Sequence, residues 1–143
     1  MRKALLAAVT ATAAAASCTT YQQIRTMPPA EAREVQGIRS VMAPCVLDEM
    51  RMRLQGIDFT QSDRPDLDQT SISTRYLTIL GSPGPRYESD VTMRQVAPTV
   101  VAVEWRVHRS LSGTPLIPLG GWEIIERCAA ASLATDRTRQ RGS

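Results

Sequence analysis

The chain has 143 residues, 43% hydrophobic and 22% charged, which places it in the globular range and outside that of disordered chains. Aromatic residues make up 4%, so the core must be chiefly aliphatic, with Trp105 and Trp122 as its largest candidates. The net charge of +3 does not describe a nucleic-acid surface: without Arg2 and Lys3 the 17 positive residues fall to 15 against 14 acids, the remaining excess sits at Arg137, Arg139 and Arg141, and no basic stripe is interleaved with aromatics.

The N-terminal stretch "MRKALLAAVTATAAAASC" opens on two positive residues and continues through an uncharged apolar run, Ala4 to Ala16. That run is too short to span a bilayer, which takes about 20 apolar residues. A positive start, a short apolar middle and small residues at the end are the parts of a secretory signal peptide. Two processing routes compete. Ordinary signal peptidase cuts after a small-x-small pattern such as Ala14-Ala15-Ala16. Alternatively, Ala15, Ala16, Ser17 and Cys18 resemble the lipobox of bacterial lipoproteins, with Ala15 standing where that family most often has leucine. The resemblance implies that Cys18 receives a diacylglycerol thioether, that the chain is cut just before it, and that the new amine is acylated. Two or more acyl chains anchor stably where one does not. Thr19 rather than aspartate follows the cysteine. In enteric-type lipoproteins that implies sorting to the periplasmic face of the outer membrane.

Cysteine arithmetic fits this reading. The chain has three cysteines, Cys18, Cys45 and Cys128, and an odd count in a secreted protein leaves one to explain. With Cys18 acylated, Cys45 and Cys128 form an even pair in an oxidising compartment. Their bridge would close a loop of 83 residues, contributing about 4 kcal/mol by the chain-entropy model. No CxxC is present and His108 is the sole histidine, which argues against a zinc site.

Residues 19–30, "TTYQQIRTMPPA", read as a polar, proline-terminated tether that holds the domain off the membrane. From Glu31 to Gln55 the pattern is helical in two pieces, because Pro44 suits a first turn better than a helix interior. A break is expected near Val41–Ala43, with a fresh helix from Pro44. Ala43, Leu47, Met50 and Leu54 then share one apolar face, with Val46 beside them, and Cys45 falls off that stripe. Gly56 fits a helix stop. Residues 57–70 read as a turn-rich loop. Asp63, Asp66 and Asp68 lack the ligand pattern of a calcium loop and are expected to be solvated.

The period then becomes two. "SISTRYLTIL" places Ile72, Tyr76, Thr78 and Leu80 on one side, and "GSPGP" is a strong turn. "RYESDVTMRQVA" alternates Tyr87, Val91 and Met93 against Glu88, Asp90, Thr92 and Arg94. "TVVAVEWRVHRS" alternates Val101, Val103, Trp105 and Val107 against Ala102, Glu104, Arg106 and His108. These segments predict a three-stranded antiparallel meander with one dry and one wet face. In "LSGTPLIPLGG" the residues Leu116, Ile117 and Leu119 either plug the core edge or, with Trp122, form a partner-binding patch. Trp122, Ile125, Ala129 and Leu133 fall at helical spacing, and a strand over "GWEIIERC" is the rival reading.

Together these elements predict a two-layer α+β sandwich, α-β-β-β-α, with helices packed on one face of the sheet. The chain divides into a signal peptide (1–17), a lipid-anchored tether (18–30), a single domain (31–135) and a polar tail (136–143). No GxSxG, HExxH, P-loop or dinucleotide-binding glycine pattern is present, so no catalytic residue and no cofactor is assigned. Glu123 and Glu126 read as a solvated helix face, with Glu123–Arg127 as an i, i+4 ion pair. "SPGPRYES" resembles the small-Gly-x-x-Tyr motif of periplasmic lipoproteins that inhibit C-type lysozymes, through Gly84, Arg86 and Tyr87, without the Phe-Trp that follows it there. The order of elements on a lipoprotein is also similar to that of the small BamE-like assembly lipoproteins, an architectural likeness. The expectation is a non-enzymatic envelope lipoprotein that binds or scaffolds another envelope component. Its expected contacts are the "TPLIPLGGW" segment and the wet face with Arg94, Glu104 and Arg106. An inhibitor or ligand-binding lipoprotein is the alternative.

Overall fold

In the computed structural model the described residues are 21–53, 57–76, 86–107 and 121–141. The chain order is α1 (Tyr21–Thr26), β1 (Glu31–Gln36), α2 (Arg39–Arg53), β2 (Asp58–Arg64), a 3-10 turn (Pro65–Leu67), β3 (Gln69–Tyr76), β4 (Arg86–Ala97), β5 (Val100–Val107) and α3 (Gly121–Arg141). The sheet has five antiparallel strands in the order β1-β5-β4-β3-β2. The predicted three-stranded sheet is therefore corrected: β3, β4 and β5 form the expected meander, and a further strand closes each edge.

Both added strands replace elements expected to be something else. "EAREVQ" is rich in helix formers, yet it pairs with β5 from Glu31↔Trp105 to Gln36↔Val100. The tertiary ladder overrides local propensity there. "DFTQSDR", expected as loop, pairs with β3 from Asp58↔Arg75 to Arg64↔Gln69.

The expected helix break at Val41–Ala43 is also absent. The helix starts earlier and runs through Pro44. Two side chains from distant elements make that start possible. Gln95 accepts the Arg39 N–H at 2.7 Å through Oε1, and Ser132 accepts the Ile38 N–H at 2.8 Å through Oγ. These are donors a helix N-terminus leaves open. Gln95 also donates through Nε2 to the Gly37 and Ala97 carbonyls, at 3.1 and 2.7 Å. Pro44 and Ser40, whose carbonyl loses its i+4 donor to the proline, both face solvent.

The inner face of the sheet carries Ile72, Val91, Met93, Val101, Val103, Trp105 and Val107, all buried. Met42, Ala43, Val46, Leu47 and Met50 of α2 and Ile124, Ile125, Cys128 and Ala129 of α3 close over it. Cys45 and Cys128 are bonded, with an S–S distance of 1.98 Å and Cα atoms 5.7 Å apart, and join α2 to α3 across a separation of 83 residues. "GWEIIERC" is helical, and α3 continues through the expected tail to Arg141. Gly121 opens it against the Trp105 ring, where a Cβ would stand 2.1 Å from Cη2 and 2.5 Å from Cζ3.

The helices do not all lie on one face. The expected tether contains α1, which packs on the outer face against β4 and β5. Ile24 is 1% exposed and lies outside the main core cluster.

Candidate functional site

The outer face carries a groove of about 260 Å³ lined by Leu67, Gln69, Thr92, Arg94, Ala102 and Glu104. Sheet register builds it. Gln69 lies opposite Arg94, Arg94 opposite Ala102, and Thr92 opposite Glu104, so three neighbouring strands supply five of the six residues. Ala102 is small between long neighbours, which leaves the depression. Leu67 closes one end from the 3-10 turn. Asp68 ends that turn in a left-handed conformation, φ 46°, and its carbonyl accepts the Gln95 N–H at 3.0 Å. Aspartate tolerates this region better than most residues.

Below the groove the outer face is polar and closed to water. Asp90 is fully buried and accepts from Ser73 Oγ at 2.6 Å and Thr92 Oγ1 at 2.9 Å, with Arg25 Nε 3.9 Å away. Ser71 Oγ lies 3.4 Å from Thr92 Oγ1. Burying a carboxylate is costly unless it is paired and hydrogen-bonded, and these partners answer that need. Ser73 beside Asp90 is no accessible nucleophile, because both are closed to solvent.

The charges at the rim differ in their partners. Glu104 is paired with Arg106, whose Nε also donates to the Met27 carbonyl at 3.0 Å. Arg94 is exposed and has no hydrogen-bond or ion-pair partner among the described residues. The groove therefore offers one unmatched cation, one matched ion pair, two neutral polar groups and an apolar end wall.

The sequence-predicted residues are distributed unevenly. Arg94, Glu104 and Arg106 do share the outer face. Cys18, Leu116, Ile117, Leu119, Gly84 and His108 lie outside the described residues, while Arg86 and Tyr87 open β4. Trp122 is half-buried. Its ring makes an edge-on contact with Trp105, centroids 6.1 Å apart, and Arg33 lies 4.4 Å over it. Asp63, Asp66 and Asp68 are exposed, as expected, and Asp63 and Asp68 are also held by hydrogen bonds or ion pairs to other elements. Arg39 donates to Asp68 at 2.5 and 2.8 Å and to Thr70 at 2.5 Å, and lies 3.9 Å from Asp63. Hydrogen bonds from Thr70 and Gln61 hold the Asp63 carboxyl below its usual range, and the Arg39 charge adds to that. Arg127 pairs with Glu49 of α2 at 2.6 Å instead of Glu123. Among the described residues no cluster of three or more His, Cys, Asp or Glu side chains could hold a metal ion, and no helix is long and apolar enough to cross a membrane.

Sequence reasoning missed α1 as part of this site. The one available signal was Ile24, a lone large apolar residue in a polar segment. No family model, curated protein or solved structure matches this chain.

Proposed function

We propose that this chain is an envelope lipoprotein, anchored through Cys18 at the periplasmic face of the outer membrane, whose small domain binds or scaffolds another envelope component without catalysing a reaction. The Cys45–Cys128 bond supports this reading most strongly. Disulfides persist in oxidising compartments, and this one uses two of three cysteines and leaves Cys18 for the lipobox-like sequence around it. The outer sheet face is the contact surface the domain offers. Its groove of about 260 Å³ lies below the usual 300–1,000 Å³ of small-molecule pockets, which favours surface contact over enclosure of a ligand.

Crosslinking mass spectrometry on native membranes tests the reading, comparing the wild type with Cys18→Ser and Arg94→Glu. Cys18→Ser is expected to release the protein from membranes, and Arg94→Glu to remove outer-face crosslinks while the protein stays membrane-bound. A Cys18→Ser protein that remains membrane-bound with unchanged crosslinks refutes the proposal.

A further inference from the structure

Only Thr19 and Thr20 separate Cys18 from Tyr21, the first residue of α1. The segment that follows is fixed to the domain along its length. Ile24 is buried on the outer face, Arg25 lies 3.9 Å from Asp90, and the Met27 carbonyl accepts from Arg106 at 3.0 Å. The Ala30 N–H donates to the Trp105 carbonyl at 2.8 Å, immediately before β1 begins. Three residue steps from Cys18 to Tyr21 span at most about 11 Å, whereas a free tether out to Ala30 would span about 40 Å.

Resting on the proposed acylation of Cys18, we infer that the envelope component met by the outer face is the phospholipid headgroup layer of the anchoring membrane itself. An anchor this short emerges on the α1 side of the sheet and holds that side toward the bilayer. Gln22, Gln23 and Thr26 of α1 are exposed. A helix is about 10 Å across, so α1 acts as a spacer and the groove beside it faces the headgroups. Among the described side chains of that face Arg94 is a cation without a partner, with Glu34, an exposed carboxylate likewise without one, across Ala102 from it; a guanidinium matches a phosphate in charge and in its fork of donors. The covalent anchor supplies the affinity, and the docked α1 supplies the orientation.

Full-length protein carrying photoreactive benzoylphenylalanine in place of Arg94 on the outer face, or of Asp48, exposed on the solvent side of α2, is irradiated in native membranes, and phospholipid adducts are measured by mass. Adducts at position 94 are expected to exceed those at 48 by tenfold or more. Ile24→Asp, which undocks α1 without touching the main core, is expected to abolish the difference. Twelve Gly/Ser residues inserted between Thr20 and Tyr21, which leave the domain intact, are expected to do the same. Equal adducts at both positions, or only protein adducts at 94, in a protein whose Cys18 is acylated overturn this inference and leave the anchoring intact. Absence of acyl mass overturns the anchoring, and the inference with it.

Discussion

Breaking the Cys45–Cys128 bond removes the covalent link between α2 and α3 and opens a loop containing all of β2 to β5. For a separation of 83 residues the freed entropy of the unfolded chain costs about 4 kcal/mol of stability. That is a large share of the 5–15 kcal/mol typical of a domain. For the 96 described residues at ~2.1 cal/mol/K each, the unfolding entropy is ~0.2 kcal/mol/K, so the melting temperature falls by about 20 °C. The assay is thermal unfolding by circular dichroism of Cys18→Ser protein, which removes the proposed anchor point and the third thiol, oxidised and then reduced. The Cys45→Ala, Cys128→Ala double variant should match the reduced form, with a small extra loss at fully buried Cys128. A drop of less than about 5 °C, or roughly 1 kcal/mol, would refute the loop account, because the unfolded chain would then be constrained without the bond.

Three further outcomes are expected. Gly121→Ala forces a methyl group into the Trp105 ring, and overpacking of this kind costs about 1–3 kcal/mol. Near-UV circular dichroism should report the displaced indole, and an unchanged spectrum with unchanged stability would contradict the close approach. Gln95→Ala leaves the Arg39 N–H and the Gly37 and Ala97 carbonyls short of partners, at a cost of about 1–3 kcal/mol in urea unfolding. A neutral result there would mean that α2 does not need its borrowed cap. The lowered Asp63 carboxyl stabilises the fold above the unfolded-state value, and that contribution is lost as pH falls through the lower folded-state value. Asp63→Asn should therefore show a small deficit that is constant above the unmodified carboxylate range, vanishes in stronger acid and shrinks with salt; a deficit unchanged down to acid pH would refute the pairing.

The sheet centre was legible because β4 and β5 alternate cleanly, and Val91, Met93, Val101, Val103, Trp105 and Val107 are buried as that alternation requires. The two edge strands were not. Of their side chains only Val35 in β1 and Phe59 in β2 are large and apolar, and charge elsewhere erases the period-two signal. Polar edges are how sheets avoid pairing with other chains, so the same chemistry that protects an edge hides it from sequence reading. The uninterrupted α2 was hidden for a different reason. Its start depends on Gln95 and Ser132, 56 and 94 residues away, and no local pattern carries that information. On the outer face, Arg94, Glu104 and Arg106 were legible as sharing one face of two neighbouring strands. The contribution of α1 was not, since one isoleucine in a polar, proline-flanked segment describes a tether as well as a docked turn.

The central claim is the anchor at Cys18, and the intact mass of the mature protein extracted from membranes tests it most directly. The account predicts an N-terminus at Cys18 carrying diacylglycerol and amide-linked acyl mass, with no further alkylatable thiol until Cys45 and Cys128 are reduced. A mature chain that begins elsewhere, or an unmodified Cys18, would contradict it.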